Sequence, residues 1–156
     1  MKNTPSEQEG SWYDPSGRIE QFLEQNGTLI YANTGRSMLP LLREGKDLFT
    51  VKKKGEERCR KLDVVLYKTS QSRYVLHRII KVRENDYVIL GDNCVNIEYG
   101  ITDRDILGVM TAYTRGRKTK STDSFSYRLY SVLWNAWRPL RRFLKKIKRR
   151  YEKALR

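Results

Sequence analysis

The stretch TGRSMLPLLREGKD, residues 34–47, holds one hydroxyl, Ser37, between Gly35 and Pro40 and just ahead of a short apolar run. A serine is a weak nucleophile at its free pKa and needs a base within hydrogen-bond reach. The chain contains a single histidine, His77, in YVLHRIIKV (74–82). Strand alternation puts Val75, His77, Ile79 and Lys81 on one face and Leu76, Arg78 and Ile80 on the other. A third cluster, GDN at 91–93, closes the run DYVILG. Each of the three also has an ordinary structural reading: a turn serine, a satisfied strand histidine and a Gly-Asp-Asn turn. Cys94, whose only support as a nucleophile is its nearness to Asp92, reads as a buried or loop thiol.

The elements that must position these residues follow from the period of the apolar residues. Ile19, Phe22 and Leu23, between Ser16 as N-cap and Gly27 as C-cap, predict a short helix over 17–26, leading into a strand TLIYA. From Asp47 onward the runs DLFTVKK, DVVLYKT, YVLHRIIKV, DYVILG and DILGVMTAYTR are β-branched and aromatic, separated by turn formers. The expected fold is mainly β, a coiled antiparallel sheet with a short N-terminal helix and a C-terminal amphipathic helix. Residues 1–15 read as a disordered arm with Trp12 and Tyr13 as docking groups, 16–115 as the β domain, 116–125 as a linker and 126–156 as the helix. Within that helix Leu129, Leu133, Trp137, Leu140, Leu144, Ile147 and Tyr151 recur every three or four residues, and Pro139 should kink it or start a second piece.

Taken in order, Ser37-Met38-x-Pro40 with Gly45 and Asp47, Val64-Val65 after Asp63, Leu76-His77-Arg78-Ile79, Gly91-Asp92-Asn93 and Gly108-Val109 resemble the type I signal peptidase and LexA-like serine peptidase clan. The resemblance covers about residues 28–115 and is nearest to small bacterial members without a transmembrane helix. It implies Ser37 as nucleophile and His77 as general base, the Ser-His variety of the endoplasmic-reticulum and archaeal types. An imidazole titrating near 6.5 can take the serine proton near neutrality. Asp92 and Glu98 are the candidates to orient the imidazole, and Lys81 is the fallback base. The oxyanion hole is expected to use the Ser37 backbone N–H, freed by the turn at Gly35. Where relatives carry a serine two residues before the nucleophile this chain has Gly35, so a second donor must come from elsewhere, Thr34 or another amide.

The net charge of +14 is unevenly spread. Residues 1–114 carry 17 Lys/Arg against 16 Asp/Glu, and residues 115–156 carry 15 against 2. A near-neutral domain with a basic amphipathic tail predicts an anionic membrane surface as partner, bound through Trp134, Trp137, Arg141, Arg142, Lys145, Lys146 and Lys148. Packing of the apolar stripe back onto the β domain is the structural alternative. The absence of a helix-turn-helix ahead of the β domain argues against nucleic acid. Two isolated cysteines fit a reduced compartment, no window of 18 apolar residues occurs, and the polar N-terminus does not read as a signal peptide. The expectation is an endopeptidase, without cofactor or metal, that removes a leader or signal-like segment from precursor peptides at the inner face of the cell membrane. A membrane transporter or maturation partner would present the substrate. The rival expectation is a catalytically silent peptide- or transporter-binding module of the same fold.

Overall fold

A computed structural model describes residues 11–13 and 17–154. Ser16 and most of the expected N-terminal arm lie outside these, as do the side chains of Trp12, Tyr13 and Lys146. The described chain forms nine strands and three helices. In order they are β1 (Ser11–Tyr13), α1 (Arg18–Asn26), β2 (Thr28–Ala32), β3 (Asp47–Lys53), β4 (Val64–Lys68), β5 (Arg73–Val82), β6 (Tyr87–Leu90), β7 (Glu98–Ile101), β8 (Ile106–Arg115), β9 (Lys118–Ser121), α2 (Phe125–Ala136) and α3 (Arg138–Ala154). All strands pair antiparallel in one sheet, ordered β2-β3-β8-β4-β5-β6-β7, with β1 on β5 and β9 on β8. The architecture is therefore mainly β, as its alternation predicts.

Both faces of the sheet are covered. On one, Val64, Leu66 and Leu76 pack with Ile19 and Leu23 of α1, Met38 and Leu42 of the 33–46 loop, and Tyr127 of α2. On the other, Val65, Tyr67, Val75, Ile79 and Ile89 form a second cluster. Helix α1 ends where Gly27 takes a positive φ of 68° and donates to the Leu23 carbonyl, a C-cap open to glycine. Phe22, expected on the buried face of α1, is 48% exposed.

Two expectations need correction. Residues 11–13 are a strand paired with Arg73–Val75 of β5, so this part of the expected arm belongs to the sheet. The expected linker is partly sheet: Arg115 and Lys118 pair across a two-residue turn at Gly116-Arg117, Gly116 has a φ of 59°, and β9 follows. Its sequence KTKS is exposed throughout and so carries no alternation to read. The tail forms two helices, one of the two outcomes expected at Pro139. Ser124 caps α2 by accepting from the Tyr127 N–H, and Pro139 lies in the first turn of α3, where its missing donor costs least.

Candidate active site

Strand parity decides what His77 can touch. Val65 of β4 lies opposite His77, which places Tyr67 two residues on along the same face. Ile79 pairs with Ile89 and Ile89 with Glu98, so Glu98 arrives on that face from β7. The contacts follow: His77 Nδ1 lies 2.8 Å from Glu98 Oε1, and the Tyr67 hydroxyl donates to Glu98 Oε2 at 2.6 Å. The same hydroxyl is 3.3 Å from His77 Nδ1. With Nδ1–H given to the carboxylate, Nε2 keeps the lone pair and can accept a proton.

Arg78 and Leu90 pair on the opposite face, and Asp92, two residues beyond Leu90, goes with them. Asp92 forms a two-pronged bond with buried Arg78, Nε to Oδ1 at 2.7 Å and Nη2 to Oδ2 at 2.8 Å. Of the two carboxylates expected as orienting candidates, Glu98 therefore lies on the imidazole, and the placement of Asp92 there is corrected. Lys81 is also corrected as fallback base: it follows a register shift after Ile79 and is exposed.

Ser37 is buried in the loop between β2 and β3, which is held from several sides. Asn33 Nδ2 donates to the Gly35 carbonyl at 2.7 Å, and the Gly45 N–H donates to the Asn33 carbonyl at 2.8 Å. Fully buried Asp47 accepts from the Arg43 N–H and from the guanidinium groups of Arg43 and Arg115. Arg115 also donates to the Leu41 carbonyl at 2.8 Å. Burial would raise the Asp47 pKa, but the Arg43 and Arg115 hydrogen bonds outweigh it and bring it down to about 2. The Leu39–Pro40 peptide bond is cis.

The GDN turn joins the two halves. The Asn93 N–H donates to the Ser37 carbonyl at 2.7 Å, and Asn93 Nδ2 to the Arg36 carbonyl at 3.0 Å. Cys94 Sγ lies 4.0 Å from both His77 Nε2 and the Ser37 carbonyl oxygen. Gly91 makes room for them, since a Cβ there would stand 2.6 Å from Cys94 Sγ and 2.8 Å from His77 Nε2. Among the described residues the Ser37 hydroxyl makes no hydrogen bond to His77, and the thiol is the group beside Nε2. The Ser37 backbone N–H, expected in the oxyanion hole, donates to no described backbone carbonyl. Thr34 is exposed and Gly35 buried.

Comparison with family models, with curated proteins and with solved structures returns no match. The resemblance to the signal peptidase and LexA-like clan therefore stands on the residues alone.

Burial lowers the His77 pKa, whereas Cys94 and the Glu98 carboxylate raise it, and the balance lies above the usual value, at about 9. Glu98 moves the other way: burial raises it, but the His77 and Tyr67 hydrogen bonds bring it below the usual value. Two members of this cluster carried no separate signal. Tyr67 is findable only by extending the alternation of YVLHRIIKV across to DVVLYKT, and Cys94 reads in the sequence as a buried or loop thiol. Among the described residues no three His, Cys, Asp or Glu side chains are grouped to hold a metal.

The tail meets this site through its polar face. Arg78 Nη1 donates to Ser131 Oγ at 2.9 Å and lies 3.4 Å from the Tyr127 hydroxyl, while the Tyr130 hydroxyl donates to Asp92 Oδ2 at 3.0 Å. Trp134 Nε1 and Arg141 Nη1 both donate to the Asp92 carbonyl, at 3.0 and 2.9 Å, and the Arg141 guanidinium stacks 3.5 Å over the Trp134 ring. Lys145 donates to the Asn93 carbonyl and side-chain oxygen. Trp134, Arg141 and Lys145, expected on lipid, thus hold the GDN turn instead. Of the other expected lipid contacts, Arg142 is half-buried and Trp137 and Lys148 are exposed. Leu129, Leu133, Trp137, Leu140, Leu144, Ile147 and Tyr151 are all exposed, so the stripe faces away from the sheet. No described helix is long and apolar enough to cross a membrane.

Proposed function

We propose that the protein is a serine endopeptidase that cleaves a leader or signal-like segment from precursor peptides. Ser37 is the nucleophile, His77 the general base and Glu98 the group that orients it. The observation that carries this reading is the Glu98–His77 pair, 2.8 Å apart, with Nε2 turned toward the loop of Ser37 and Cys94. Substrate binding brings the Ser37 hydroxyl onto Nε2, in keeping with the longer catalytic contacts of ligand-free sites. His77 then takes the serine proton as Oγ attacks the scissile carbonyl, and returns it to the leaving amine. Water activated by the same nitrogen releases the acyl group.

The exposed stripe of α2 and α3, flanked by cations, supports attachment to an anionic membrane surface. We place the protein at the inner face of the cell membrane, receiving precursor peptides from a transporter or maturation partner. The thiol beside Nε2 favours a second reading, a peptide-binding module without turnover. Reaction with an acylating serine-peptidase probe separates the two. Labelling at Ser37 that is lost in Ser37→Ala and His77→Ala supports the peptidase; intact peptide binding without labelling overturns it.

A further inference from the structure

Both oxygens of Glu98 are engaged: Oε1 lies 2.8 Å from His77 Nδ1, and Oε2 accepts from the Tyr67 hydroxyl at 2.6 Å. That hydroxyl is itself 3.3 Å from Nδ1, so the three groups close a triangle of contacts at one side of the imidazole. The titratable groups on His77 are thus Glu98 from β7, Tyr67 from β4 and Cys94 from the turn after β6.

Glu98 and Tyr67 are not held equally. Glu98 opens β7, which lies at the edge of the sheet, and its side chain is 22% exposed beside exposed Tyr99 and Gly100. A glutamate side chain keeps several free torsions, and one bond to an imidazole leaves its carboxylate able to swing out toward water. Tyr67 is fully buried on β4, between β5 and β8, where it pairs with Val75 on one side and Ile106 on the other. Its side chain belongs to the cluster of Val65, Ile79 and Ile89. Burial, and then the Glu98 charge, push the phenol above its usual pKa range, so it stays a donor wherever His77 titrates. The fixed phenol is the second anchor that a glutamate on an edge strand otherwise lacks. We propose that Tyr67 is a positioning residue of the active site: its hydroxyl pins Glu98 Oε2, which keeps Oε1 on Nδ1 and so holds Nε2 bare and turned toward the loop of Ser37. Its service to catalysis rests on the peptidase reading; its hold on Glu98 and His77 does not.

Tyr67→Phe keeps the ring and its packing and removes only the hydroxyl. The chain has a single histidine, so nitrogen-15 NMR of untagged full-length protein reads His77 without ambiguity. In the wild type the neutral imidazole should carry its proton on Nδ1. In Tyr67→Phe the carboxylate swings away, so the His77 pKa should fall part of the way to its value in Glu98→Gln, and the neutral ring should become a mixture of tautomers. In the Glu98→Gln background the same substitution should shift the pKa no further. Labelling of Ser37 by an acylating probe above pH 9, where His77 is neutral in both proteins, should slow about tenfold at saturating probe, with the half-saturating concentration unchanged.

A His77 pKa that stays in place or rises in Tyr67→Phe overturns the proposal, because Glu98 then keeps its position without the phenol. So does an equal fall in both backgrounds, the mark of a general loosening of the core. The peptidase reading fails separately. If His77 responds as stated but the wild type is never labelled, the peptidase is removed and the hold on Glu98 stands. If the wild type is labelled and His77 does not move, the role of Tyr67 alone is removed.

Discussion

His77 sits between a carboxylate on Nδ1 and a thiol beside Nε2, and both favour its charged form over the burial that opposes it. Acting as a base requires the neutral form, so the rising limb of kcat/KM with pH should have its midpoint above 7, near 9. Glu98→Gln should move that midpoint down, because it removes the acceptor that favours imidazolium. A purely structural role for Glu98 would leave the midpoint in place. The sign for stability is the reverse of that for activity. A raised histidine pKa stabilises the fold fully below the unfolded value of about 6.5 and ceases to do so as pH rises through about 9. Gly91 makes a different prediction. Gly91→Ala puts a methyl against Cys94 Sγ and His77 Nε2, so Ser37 labelling should fall at least tenfold while far-UV circular dichroism stays unchanged.

At the scale of elements, the loop carrying Ser37 depends on one buried carboxylate. Asp47→Ala leaves the Arg43 and Arg115 guanidinium groups without their common acceptor and should cost about 2 kcal/mol in urea unfolding. The Asp47 pKa is depressed, so its contribution is present above the unfolded value of about 3.9 and is lost as pH falls toward about 2. The acid limb of the stability curve should therefore flatten in Asp47→Ala. Much of this layer was legible in the sequence. DLFTVKK forms β3 with the limits its alternation suggests, and most other runs shift by a residue or so at either end. The choice between Asp92 and Glu98 was not legible, because it turns on parity carried across three paired strands, which one strand's pattern does not specify. The β9 hairpin was hidden by polar residues on both faces. Periodicity also grouped the stripe of α2 and α3 correctly but could not say which face docks. The face that docks is held by Arg78, Trp134, Arg141 and Lys145, polar groups that an apolar count ignores.

For the whole molecule, the two tail helices present an apolar face outward and are latched by their polar face to the turn that touches Ser37. Membrane attachment is best tested by substitution in the stripe. Cutting at residue 115 would also strip Tyr127 and Ser131 from buried Arg78 and remove β9. Leu140→Glu with Leu144→Glu should abolish flotation with anionic liposomes while leaving the free energy of unfolding within about 0.5 kcal/mol of the wild type. Equal flotation of variant and wild type would remove the membrane proposal. The central claim is that Ser37 is a nucleophile driven by His77 and oriented by Glu98. Mass spectrometry of the protein treated with an acylating serine-peptidase probe tests it most directly. The account predicts one adduct, on Ser37, absent from Ser37→Ala and His77→Ala and formed more slowly in Glu98→Gln above pH 9, where His77 is neutral in both proteins. An adduct on Cys94 instead, or labelling of Ser37 that persists in His77→Ala, would contradict it.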